Sequence, residues 1–76
     1  MEKAIVLLTI QPSAEKEVLN TLKKLKAVKE AHFIYGPYDA FLSIEAGTSQ
    51  DIQRMVLDEI RLIQGIKSTM TCFIAD

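Results

Sequence analysis

The chain has 76 residues, 49% of them hydrophobic, a net charge of −1, one cysteine and one histidine. That length is one domain, and the counts exclude an internal disulfide, a Cys/His metal cluster and the broad basic footprint that nucleic-acid phosphates require. A chain this short buries only about 60% of its unfolded surface on folding, so self-association is the expected remedy for a small core.

Residues 3–10 form a continuous apolar, β-branched run, the pattern of a strand buried on both faces. Pro12 and Ser13 punctuate it, and Ser13 is expected to cap a helix over 13–25. Ala14, Val18, Leu22 and Leu25 make its apolar stripe, with Glu15 and Glu17 near the positive end and Lys23, Lys24 and Lys26 near the negative end. Residues 28–35 predict a second strand, Gly36-Pro37 a tight turn, and residues 38–46 a third strand. Thr48, Ser49 and Asp51 open a second helix that carries Ile52, Met55, Val56, Ile60 and Ile63 on one stripe, and Gly65 stops it. Residues 66–74, rich in threonine, predict the fourth strand.

The order βαββαβ divides into two strand–helix–strand halves, 3–35 and 38–75. Right-handed crossovers interleave them into a ferredoxin-like α+β fold: a four-stranded antiparallel sheet, first and third strands central, with both helices on one face. Ala4, Val6, Leu8 and Ile10 point to one side of the first strand, and Ile5 and Leu7 to the other. Phe41 likewise opposes Leu42 and Ile44. The helices cover one of these apolar faces, so the other predicts a two-fold dimer, a dimeric α+β barrel.

The fold hosts many functions, so the site must decide between them. The loop after the first strand, Gln11-Pro12-Ser13, has no Cys-x-x-Cys for a metal. The central strands carry Phe41 alone as a base-stacking aromatic, and the two arginines, Arg54 and Arg61, both fall on the second helix rather than early in the chain. His32 on an edge strand has no nucleophile or orienting partner, and Cys72, Met55 and Met70 read as core residues. Catalytic residues, metal ligands and cofactors are therefore not expected. No run approaches the roughly 20 apolar residues that span a bilayer, and run 4–10 lacks a signal-peptide cleavage site, so the expected location is the cytoplasm.

The segment Gly36-Pro37-Tyr38-Asp39 carries the one constellation with ligand chemistry. A turn exposes backbone N–H groups that suit a carboxylate, and Asp39 suits an ammonium, the two groups of a free amino acid. The alternative is a hairpin made by Gly36 and Pro37, with Asp39 only capping it.

The Gly-x-Tyr-Asp turn is followed by Ala40, Phe41 and Leu42, then by a helix containing Met55-Val56. The stretch Leu62-Ile63-Gln64-Gly65-Ile66-Lys67-Ser68-Thr69-Met70-Thr71 is similar to a "Leu-x-x-Gly-Val…Thr-x-Thr" ending. Together these resemble the amino-acid-binding (RAM) domain of the leucine-responsive Lrp/AsnC transcriptional regulators, from the first strand to Ala75. The resemblance implies that Gly36, Tyr38 and Asp39 hold the backbone groups of a free amino acid, with polar contacts from Thr69 and Thr71. It also implies dimers that pack through the sheet and assemble into octamers or decamers, with ligand between dimers. Because the first strand starts at Lys3, a single domain over 1–76 is expected, without a helix-turn-helix domain and without direct DNA binding. Full-length Lrp/AsnC regulators are then expected partners. Three functions stay open: an amino-acid sensor, a ligand-independent assembly module that co-oligomerises with a full-length regulator, and a dimeric α+β-barrel enzyme with His32 as its one proton carrier.

Overall fold

In a computed structural model that describes residues 1–75, the elements follow the βαββαβ order. The strands are β1 (Glu2–Ile10), β2 (Val28–Phe33), β3 (Ala40–Ala46) and β4 (Ile66–Phe73); the helices are α1 (Glu15–Lys23) and α2 (Ser49–Met55), the latter continuing as a π-helical turn over Val56–Ile60. The sheet order is β2-β3-β1-β4 and every pairing is antiparallel, so β1 and β3 are central as the apolar patterning predicts.

Alternation along β1 sets the layers. Ala4, Val6, Leu8 and Ile10 are buried under the helices. They meet Leu42 and Ile44 of β3, Val18, Leu19 and Leu22 of α1, and Ile52, Met55, Val56 and Ile60 of α2 and its π turn in one core. On the opposite face lie Ile5 and Leu7, with Phe41 beside Leu7 on β3 and Met70 and Cys72 beside Leu7 and Ile5 on β4. Ile5, Leu7 and Phe41 are half-buried by their sheet neighbours alone, while Met70 and Cys72 are exposed. This corrects the reading of Met70 and Cys72 as core residues. Residues 70 and 72 of β4 fall opposite residues 7 and 5 of β1, the odd-numbered positions that no helix covers.

Three local features depart from expectation. Ser13 does not cap α1: the N-cap position is Ala14 and no side chain bonds there. Instead Ala14 N–H donates to the Gln11 carbonyl at 3.0 Å across a turn with Pro12 second and Ser13 third, where Ser13 takes φ +74°. Proline second and a positive φ third is the type II turn pattern, so Pro12 sets the geometry and Ser13 follows it. The β2–β3 connection is not a tight turn but a six-residue loop, Ile34 to Asp39, closed by Ile34 N–H donating to the Asp39 carbonyl at 3.0 Å.

The third departure is the π turn, marked by Arg61 N–H donating to the Val56 carbonyl at 2.9 Å. In an uninterrupted α-helix Glu59, seven positions after Ile52, would fall in the middle of the buried stripe. The widened turn shifts the register by one residue, leaving Glu59 exposed and burying Ile60 completely. The start of α2 behaves as its sequence suggests: the Thr48 hydroxyl accepts from Asp51 N–H at 3.1 Å.

Candidate functional site

The loop between β2 and β3 lies at the sheet end where β1 finishes, because the β1–β3 ladder closes on Leu8↔Ala40. Two consequences of the sequence shape it. Gly36 takes φ +133°, in a region that side-chain-bearing residues avoid, and Pro37 offers no N–H. Asp39 then ties the loop down. Its N–H donates to the Leu8 carbonyl at 2.7 Å, and its carboxylate Oδ2 accepts from Ile10 N–H at 2.8 Å. Ile10 lies past the last rung of the β1–β3 ladder, so the carboxylate takes the place of the missing strand carbonyl.

Tyr38 turns to the open face of the sheet. Its hydroxyl donates to the Met70 sulfur at 3.3 Å, reaching across β1 to β4. Beside this contact the hydroxyls of Thr9 and Ser68 hydrogen-bond to each other. Tyr38, Thr9, Ser68 and Met70 therefore form a polar margin to the apolar patch of Ile5, Leu7 and Phe41. Asp39 instead borders a depression with Glu15, Phe33, Ile34 and Tyr35.

Thr69 and Thr71 are not brought to that margin within one chain. They pair with Leu8 and Val6, whose side chains enter the helix-facing core, so both threonines sit half-buried on the helix side of edge strand β4. Thr69 lines a depression of about 400 Å³ together with Arg61, Ile66, Lys67 and Ser68. Two cations and the Thr69 hydroxyl suit an anionic group such as a carboxylate, while the Ser68 hydroxyl is taken by Thr9 on the opposite face. Arg61 and Lys67 were not singled out from the sequence. The signal was available, since both flank the Gly65 stop, but their convergence with Thr69 depends on how the chain turns there. The turn is held by Gln11 N–H donating to the Gly65 carbonyl at 2.7 Å.

His32 lies on edge strand β2, as expected, and its side chain is exposed. Its Nε2 lies 3.2 Å from Glu30 Oε1, and its ring stacks on Phe41 with centroids 6.2 Å apart. Among the described residues there is no group of three or more His, Cys, Asp or Glu side chains placed to hold a metal ion. No helix among them is long and apolar enough to cross a membrane.

The Lrp/AsnC ligand binding domain model matches residues 3–76. The chain belongs to the Lrp/AsnC ligand-binding domain family. It is 30% identical over 71 residues to an uncharacterised HTH-type transcriptional regulator of Pyrococcus horikoshii, a match covering 90% of this chain and 47% of the regulator. The chain thus spans about half the length of the curated relatives it matches. Among solved structures it is similar to FFRP-DM1, with a TM-score of 0.95 and 31% identity, covering 99% of this chain and 100% of that one. The fold is also that of a transcriptional regulator of Neisseria meningitidis solved in complex with L-methionine, with a TM-score of 0.92 and 17% identity over 99% of this chain and 50% of that one. The curated relatives of this Lrp/AsnC domain are transcriptional regulators and not enzymes.

Proposed function

We propose that this Lrp/AsnC domain is an amino-acid sensor that works as an oligomer. A second copy closes the open sheet face through Ile5, Leu7 and Phe41, forming a two-fold dimer, and dimers assemble further into an octamer or decamer. A free amino acid binds where dimers meet, at Gly36, Tyr38 and Asp39, with Thr69 and Thr71 contributed by a neighbouring copy. Through mixed or direct assembly the sensor modulates Lrp/AsnC-type transcriptional regulators, which goes with a cytoplasmic location.

The observation that carries the reading is the sheet itself. Its helix-free face sets an apolar centre beside a polar margin that includes Tyr38, the layout of an interface core and rim. A ligand shifts such an assembly only by its differential affinity for the two states, so binding and assembly must be linked. Calorimetry of the chain against each proteinogenic amino acid tests the reading: at least one should bind, and silence from all at millimolar concentration contradicts it.

One observation favours a second reading, a ligand-independent assembly module. The Asp39 carboxylate already holds Ile10 N–H, which gives that residue a structural role without any ligand. On that reading mixed oligomers with a full-length regulator form equally well with and without amino acids.

A further inference from the structure

We propose that the amino acid sensed by this chain carries a second positive charge, as lysine, ornithine and arginine do, and that its side chain lodges beside Asp39 in a cation-selective depression. The inference rests on the amino-acid-sensing reading above and narrows it to a ligand class.

The depression lies between the first turn of α1 and the end of β2. It has a volume of about 530 Å³ and is lined by Glu15, Phe33, Ile34, Tyr35 and Asp39. That volume falls within the range of roughly 300–1,000 Å³ usual for small-molecule sites. Two of its five lining residues are carboxylates, two are aromatic rings, and none is a cation. Among the described residues neither carboxylate has a lysine, arginine or histidine nitrogen within 4.0 Å, because the one such pair there is His32 with Glu30. Glu15 and Asp39 therefore present negative charge with no cationic side chain paired to either among the described residues.

The two carboxylates differ in what they have left to give. Asp39 spends Oδ2 on Ile10 N–H and keeps its other oxygen. Glu15 makes no side-chain hydrogen bond among the described residues and keeps both. Phe33 and Tyr35 are exposed at the rim, with nothing of their own chain over the Tyr35 ring. Aromatic faces next to carboxylates are the surroundings that ammonium and guanidinium groups prefer, since ring quadrupole and anion attract the same charge. The aliphatic stem of such a side chain would pack on Phe33 and Ile34. The N-terminus of α1 opposes this with about half a positive charge, which two full negative charges outweigh. A neutral side chain would gain only the apolar wall, and an acidic one would be repelled.

The test is calorimetry of the intact chain with L-lysine and with L-norleucine, which keeps the stem and lacks the terminal ammonium. Lysine is expected to bind about tenfold tighter, with the gap narrowing as salt is raised. Glu15→Gln should bring the lysine-to-norleucine ratio close to one. Tyr35→Leu, at a side chain that packs on nothing, should reduce the ratio about threefold. Circular dichroism of each variant checks that α1 and the sheet persist. Norleucine or leucine binding as tightly as lysine overturns the cationic subsite and leaves the sensing reading intact. Failure of every amino acid to bind removes both. An unchanged ratio in a folded Glu15→Gln chain overturns the assignment of the subsite to this depression.

Discussion

Asp39 holds the Ile10 N–H and, on the proposed reading, a ligand ammonium as well, and replacing it in two ways tells these duties apart. Its carboxylate accepts from the partly buried Ile10 N–H at 2.8 Å, just beyond the last β1–β3 rung. Asp39→Ala leaves that N–H without its acceptor. Hydrogen bonds to charged groups contribute about 1.5–3 kcal/mol, and the exposure of Asp39 puts this one at the lower end, about 1.5 kcal/mol. Asp39→Asn keeps an amide oxygen in the same place and should cost about 0.5 kcal/mol. For a domain of this size that converts to a fall in Tm of about 6–12 °C for the alanine variant and about 2–4 °C for the asparagine variant. Thermal unfolding followed by circular dichroism measures this, at one fixed protomer concentration because assembly adds to apparent stability. Amino-acid binding should respond differently. Both variants lack the charge that, on the proposed reading, holds an ammonium, so both should lose affinity, including the well-folded asparagine variant. Equal Tm losses in the two variants, or none in Asp39→Ala, would refute the structural duty. Full affinity in Asp39→Asn would refute the binding duty.

Two further outcomes follow from packing. Gly65 has φ +104°, and a Cβ there would meet Ala14 Cβ at 2.8 Å and Val18 Cγ2 at 3.0 Å. Gly65→Ala combines backbone strain with overpacking against α1 and should cost about 2–4 kcal/mol, read as a lowered midpoint in urea. Leu7→Lys places a charge at the centre of the open sheet face, leaves the helix-side core untouched, and should weaken self-association more than a hundredfold, about 3 kcal/mol in all. Size-exclusion chromatography with light scattering reads that as a folded monomer, and an unchanged assembly would mean that the open face is not the contact.

The elements and their order were legible because each rests on a strong local signal. The unbroken apolar run of β1 requires cover on both faces, and the Thr48–Asp51 spacing forms the helix cap it implies. What was not legible involves competition between neighbours. Ser13 is a good helix cap in isolation, yet Pro12 claims it for a turn. The π turn left a trace, Glu59 in the middle of the apolar stripe that Ile60 and Ile63 continue, but only the packed core decides where the helix widens to expel it. In the candidate site, Gly36, Tyr38 and Asp39 share one loop because they lie within four residues of sequence. Thr69 and Thr71 share a strand, but whether they face the same side as Tyr38 depends on the β1–β4 register, which pairs them with Leu8 and Val6. Glu15, Phe33 and Tyr35 gave no sequence signal, since α1 and the end of β2 meet only through the tertiary fold.

Sedimentation velocity on the unmodified chain, with and without its best-binding amino acid, bears most directly on the account. Particles larger than a monomer at micromolar concentration, redistributed to a different size by the ligand, are the predicted result. A single monomeric species under both conditions would contradict it, because the bare sheet face would then have no occupant and the ligand no assembly to shift.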